Sequence, residues 1–153
     1  MKKKDLVVLS MLRNNSRITL TDISRKTNIP ISTLYDKVKQ FEGGLISRYS
    51  VLLDFARLGF VVRSQLVFAV DRSQKDEFAC FMGKHHNVNN FCRINNGFDF
   101  MAEVVCRDIN ELETFLETIN QKFKIKERKS FYIIEDLKRE GFFSDKDFVE
   151  MME

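Results

Sequence analysis

Between Pro30 and Gly44 the chain reads ISTLYDKVKQFEG, which gathers two hydroxyls, a phenol, two carboxylates, two ammonium groups and a side-chain amide into one short run. These are groups that donate to phosphate oxygens and bond to base edges, and none of them is paired as a nucleophile with its base. Leu34, Val38 and Phe41 recur at i, i+4 and i+7, the stripe of a helix with one buried side. At about 100° per residue, Ser32, Asp36 and Lys39 then point directly away from the core. Thr33, Tyr35 and Gln40 flank them, and Lys37 sits at the edge, within reach of a phosphate. Residues early on such a helix suit base edges and marginal Lys or Arg suit the backbone. A polar back is also what any surface helix has. Arg17, Arg25, Lys26 and Arg48 on neighbouring segments favour a polyanion.

Asn95, Asn96, Gly97 and Asp99 form a second cluster. One reading is a plain hairpin turn with a solvent-facing carboxylate. The other is a loop whose amides take a carboxylate while Asp99 takes an amino group, the two ends of a small zwitterion. His85 and His86 are adjacent, so on a helix end they diverge by about 100° and do not suit one metal. Cys80, Cys92 and Cys106 have no CxxC spacing and are read as small core residues. No Ser-His-Asp pattern, phosphate-cradling glycine loop or metalloprotease signature occurs, and Glu103 and Asp108 have no evident partner. The expectation is a binding protein rather than an enzyme, with no cofactor and no metal.

The 153 residues carry a net charge of +3, distributed unevenly. Residues 1–50 hold ten Lys or Arg against four Asp or Glu, whereas the remainder holds fifteen against eighteen. A basic front end on a mildly acidic body fits a polyanion-binding module carried by something else. The initial MKKK is read as a frayed tail that accounts for part of this. The odd cysteine count, the lack of a signal segment and the lack of a long apolar run point to a cytoplasmic protein.

The elements that would position these residues follow from periodicity. DLVVLSMLRNN is a short helix. Thr19 with Asp22 marks the start of a second, from about Leu20 to Thr27. The opening stretch is the third, ended by Gly43-Gly44. LISRYSVLLD is expected as one arm of a hairpin. Beyond it, VVRSQLVFAV reads as a strand, and SQKDEFACFMGKH as a helix with Phe78, Phe81, Met82 and His85 on one face. VNNFCRI and FDFMAEVVC are strands joined at Asn95-Asn96-Gly97. INELETFLETIN is a helix, SFYII a last strand, and FFSDKDFVEMME a short tail with a helix capped by Ser144. The fold expected is α+β: a winged helix-turn-helix followed by a ferredoxin-like βαββαβ domain. Its parts would be 1–50 (winged helix-turn-helix), 51–60 (linker), 61–138 (ferredoxin-like domain) and 139–153 (tail).

The order of these features resembles the feast/famine, or leucine-responsive regulator/AsnC, family. The resemblance rests on Asp5, on Asn15-Ser16-Arg17, and on Thr19 with Asp22. It continues through Lys37-Val38, Phe41-Glu42, Gly44-Leu45-Ile46 and Tyr49 to Leu58-Gly59 and Phe98-Asp99-Phe100, nearly the whole chain to Lys138. It implies a transcriptional regulator that binds double-stranded DNA through Ile31, Ser32, Thr33, Tyr35, Asp36, Lys37, Lys39 and Gln40, helped by Arg17 and Arg48. It also implies a homodimer or a larger assembly such as a tetramer or octamer. An amino-acid effector would contact Asn96, Gly97 and Asp99 between protomers. The chain departs from the family at Pro30, where a capping Ser or Thr is usual, at Lys37 for Arg, and at Asn96 for the loop glycine. The alternative is a sensor or assembly module whose winged helix contacts protein instead of DNA.

Overall fold

Residues 1–151 are described by the computed structural model, so the last two residues of the expected tail lie outside the described ones. The chain divides into two units, Leu53–Asp136 and a discontinuous one made of Met1–Leu52 and the segment from Leu137 onward. The first helices are α1 (Lys3–Asn14), α2 (Leu20–Thr27) and α3 (Ile31–Glu42). Val8, Leu12, Ile23, Ile29, Leu34 and Phe41 bury their side chains among these helices. Thr19 starts α2 as expected, its Oγ1 accepting from the Asp22 amide at 3.1 Å and donating to the Asp22 carboxylate at 2.7 Å. Asn28 ends α2 in the left-handed region, φ 54°, which an Asn side chain tolerates better than most. Ser24 Oγ donates to Ile29 O at 2.7 Å and braces the turn that leads into α3.

One expected element fails to form in this unit. The stretch 45–54, expected as a hairpin arm, carries no strand. An arm needs a second strand to take its N–H and C=O groups, and none lies beside it among the described residues. The helix expected in the tail is present. The tail returns to the first unit, where α6 (Lys146–Met151) packs on α1 and Val149 is fully buried. Arg13 ties this return down, its Nε donating to Phe142 O at 3.3 Å and its guanidinium pairing with Glu140. Asp145 caps this helix by accepting from the Asp147 amide at 2.9 Å. Ser144, the expected cap, instead donates to Gly141 O.

The second unit is a four-stranded antiparallel sheet in the order β2-β3-β1-β4, with β1 Val62–Val70, β2 Val88–Arg93, β3 Phe100–Cys106 and β4 Ile125–Tyr132. Between strands run α4 (Lys75–Lys84) and α5 (Ile109–Lys122), giving the βαββαβ order that the pattern predicts. Leu66 and Phe68 of β1 and Phe100, Ala102 and Val104 of β3 alternate toward the helices. Phe78 of α4 sits amid them, its ring 5.2 Å from Phe68, 5.3 Å from Phe100 and 5.2 Å from Phe123. Burying one such ring is worth about 1.5–3 kcal/mol, so this cluster is a main source of the unit's cohesion.

The last strand starts earlier than SFYII suggests. β4 begins at Ile125 because Lys126, Glu127 and Lys129 belong to an exposed edge strand, whose charges discourage pairing with other chains. Cys106 is buried as expected, and burial pushes its thiol up to about 11. Cys80 and Cys92 are exposed, contrary to the core reading, since each takes a solvent-side position on its element. Asp108 and Glu103 both have partners. Asp108 accepts from the Glu111 amide at 2.8 Å and caps α5. Glu103 accepts from Asn89 at 2.8 Å and pairs with Arg63, which also holds Asp136.

Candidate nucleic-acid interface and effector loop

Leu34 and Phe41 bury one side of α3, and this alone decides what its other side presents. Ile31, Ser32, Thr33, Tyr35, Asp36, Lys39 and Gln40 are all exposed. Tyr35 is steadied by Lys39, whose ammonium lies 4.7 Å from the ring centroid, a cation–π contact that places an aromatic and a charge side by side. Pro30 precedes the helix with no side-chain hydrogen bond to its first amides. Proline has no acceptor to offer there, although its fixed φ suits a helix start. Arg17 and Arg48 are exposed on segments 15–19 and 46–54. Arg48 is therefore not on a paired wing. Arg25 is exposed and engaged with Asp22.

Lys37 behaves differently from the edge cation that periodicity suggests. Its ammonium pairs with the carboxylate of Asp5 on α1, and only 25% of its side chain and 12% of that of Asp5 remain exposed. The Lys2 amide also donates to Asp5, at 3.3 Å. The bond from Lys37 holds the Asp5 carboxyl below its ordinary 3.8, against the opposing effect of burial. So Lys37 serves as a strut between α1 and α3. This pairing joins residues 32 apart, which no local pattern reveals.

The β2–β3 connection is the expected tight turn. Asn96 at φ 67° and Gly97 at φ 90° both lie in the left-handed region, open to glycine and tolerated by asparagine. The backbone of Asp99 closes the turn, its carbonyl accepting from Ile94 and its amide donating to Phe68 O at 2.8 Å. The Asp99 carboxylate is not simply solvent-facing. One oxygen accepts from the Val70 amide at 2.9 Å and the other pairs with Lys75 at the start of α4. Burial opposes its ionisation, but these two bonds outweigh it and hold the carboxyl below its ordinary range. Asn96, Gly97 and Asp99 are thus brought together, with Lys75 as a fourth member that the sequence alone does not flag. Among the described residues, no three His, Cys, Asp or Glu side chains cluster to hold a metal ion. Nor is any helix among them long and apolar enough to cross a membrane.

A helix-turn-helix unit with an exposed polar third helix, joined to a βαββαβ sheet domain with a hairpin loop, defines a class of two-part DNA-binding regulators. Comparison with known proteins gives the same answer. The winged helix-turn-helix DNA-binding family matches residues 1–42, and the Lrp/AsnC ligand binding domain matches residues 67–141. The HTH-type transcriptional regulator FL11 of Pyrococcus horikoshii is 22% identical over 116 residues, 75% of this chain and 77% of its own length. The HTH-type transcriptional regulator YezC of Bacillus subtilis is 24% identical over 119 residues, 77% of this chain and 84% of its own. Among solved structures, the transcriptional regulator NMB0573 of Neisseria meningitidis, in complex with L-Met, superposes with a TM-score of 0.85 at 19% identity, covering 91% of this chain and 93% of that one. LrpC of B. subtilis gives 0.82 at 19%, covering 90% and 97%. The chain belongs to the Lrp/AsnC family of DNA-binding transcriptional regulators.

The Asp5–Lys37 strut makes stability depend on pH with a definite sign. Asp5 titrates lower in the folded chain than in the unfolded one, so its contribution is complete above pH 3.8 and is lost as pH falls through the depressed value. Asp5→Asn should lower stability at neutral pH by roughly 1–2 kcal/mol, between the exposed-pair and buried-pair limits. It should also flatten the acid limb of the melting-temperature profile. Thermal denaturation of both proteins across that range checks this, and parallel acid limbs would contradict the assignment.

Proposed function

We propose that the chain regulates transcription in the cytoplasm as a homodimer or larger assembly, reading double-stranded DNA with α3 and sensing a small amino acid at the β2–β3 loop, without catalysing a reaction. The observation that carries the DNA reading is the exposed face of α3, where Ser32, Thr33, Tyr35, Asp36, Lys39 and Gln40 present donors and acceptors beside the exposed Ile31. In a symmetric dimer two such helices enter successive major grooves about one helical turn apart. Lys39, Arg17 and Arg48 then add phosphate contacts, which make binding strong at low salt and weak at high salt. Asp36 suits a cytosine amino group rather than a phosphate.

Self-association is supported by the sheet face opposite the core. Val67, Met101 and Phe131 lie on that face by register, and Phe131 is 55% exposed although it is a large apolar side chain. Covering such residues drives dimers. The double variant Lys39→Glu/Arg48→Glu should bind duplex DNA from upstream of its own gene at least about tenfold more weakly, because two phosphate-facing cations become repulsive. Its assembly mass should not change. Electrophoretic binding at two salt concentrations, with native mass on the same samples, checks both. A variant that binds like the wild type, or a folded wild type that binds no DNA, would contradict the reading.

An α-amino acid fits the loop chemically because its carboxylate can accept from turn amides and its ammonium can be shared with Asp99. That ammonium competes with Lys75, which is already on the carboxylate. A partly exposed pair of this kind is worth about 0.2–1 kcal/mol, so Lys75→Met should tighten amino-acid binding by roughly two- to fivefold. Calorimetric titration of wild type and variant with L-methionine measures it. Equal affinities would remove Asp99 from ammonium recognition.

A further inference from the structure

The basic residues at the very start of the chain lie outside the exposed face of α3. They are not a frayed tail: Lys3 and Lys4 are in the first turn of α1, and Lys2 is its N-terminal cap residue. With Asp5, Thr33 and Lys37 they line an open cleft of about 340 Å³, between the start of α1 and the first turns of α3. Four lysines and a single acid make the lining strongly positive. That acid is also silenced, because Asp5 already carries the Lys37 ammonium and a backbone amide. An anion entering the cleft therefore meets cationic side chains, and the one carboxylate among the described lining residues is already engaged.

Position gives the cleft its partner. Thr33 belongs both to the cleft and to the exposed face of α3, so the two surfaces are continuous. A groove-bound helix is flanked along its length by the sugar–phosphate backbone. We propose that this cleft is a phosphate clamp for one strand of the duplex that α3 reads, with Lys2, Lys3 and Lys4 contacting phosphodiester oxygens and Thr33 adding a hydroxyl donor at the junction. The inference rests on the DNA reading of α3 and extends it to α1. It also exchanges roles between two sets of lysines. Lys37, in the position expected to grip phosphate, is the strut, and the terminal lysines grip in its place.

Phosphate contacts carry no base information, so the clamp should add affinity to every duplex alike. The triple variant Lys2→Gln/Lys3→Gln/Lys4→Gln should lower the slope of log affinity against log salt by about 0.9 for each phosphate no longer neutralised, roughly 2–3 in all. The drop in affinity should be equal on the upstream duplex and on a scrambled one. Lys84→Gln, which removes a charge from α4 of the second unit, should leave the slope unchanged. Thermal melting should show that the triple variant is folded at the temperature of the binding assay. A wild-type slope in the triple variant, or an equal per-charge effect in Lys84→Gln, would overturn the clamp while leaving the α3 reading intact. A wild type that binds neither duplex would remove both.

Discussion

The ion pair between Asp5 and Lys37 is the interaction on which the DNA-binding unit turns. A small three-helix core fixes how far apart helices lie more firmly than it fixes their rotation, since apolar contacts are not directional. Asp5 and Lys37 supply the direction. They tie the first turn of α1 to the middle of α3, and so hold α3 in the rotation that Leu34 and Phe41 set. The same bond takes one lysine out of the exposed set, neutralises the acid beside the terminal lysines, and leaves a positive cleft where composition suggests a loose tail. Lysine rather than arginine at this position is consistent with that use. A strut needs one point charge, whereas gripping a phosphate rewards the bidentate fork.

In the second unit Asp99 has a similar double duty. Its backbone closes the β2–β3 turn, and its carboxylate ties that turn to the end of β1 and the start of α4. The loop is thereby held in shape, which on the proposed effector reading would lower the ordering cost of binding. On that same reading, an incoming ammonium would displace or share the place of Lys75. Arg63 plays a comparable part at the other end of the sheet, bridging Glu103 to Asp136, the last residue of this unit before the chain returns to the first.

What the sequence makes legible is what local periodicity and capping control. α2 runs from Leu20 to Thr27 because Thr19 caps it and Asn28 can turn left-handed, and both signals are adjacent to the helix they bound. The outward set on α3 follows from Leu34, Val38 and Phe41 alone. The βαββαβ order follows from alternation and from the Asn95–Gly97 turn. Most of what stays hidden depends on a partner distant in sequence. Lys37 meets Asp5, Asp99 meets Lys75, and Glu140 meets Arg13 across 127 residues. β4 is masked by its own charges, which an edge strand needs and a buried strand would not carry. Cys80 and Cys92 look inward only if an apolar residue type is allowed to stand for an apolar face. Composition favours a hairpin arm at 45–54, but pairing is a property of two segments, and the second is absent among the described residues.

The central geometric claim is that α3 lies in the major groove with its Ser32–Gln40 face toward the bases. Dimethyl sulfate protection of the bound upstream duplex tests it most directly, because that reagent reports the N7 atom of guanine in the major groove. The expected result is two protected patches centred about 10 base pairs apart, one for each helix of a symmetric dimer. A DNA-bound protein that leaves every major-groove guanine reactive would contradict the account at its centre.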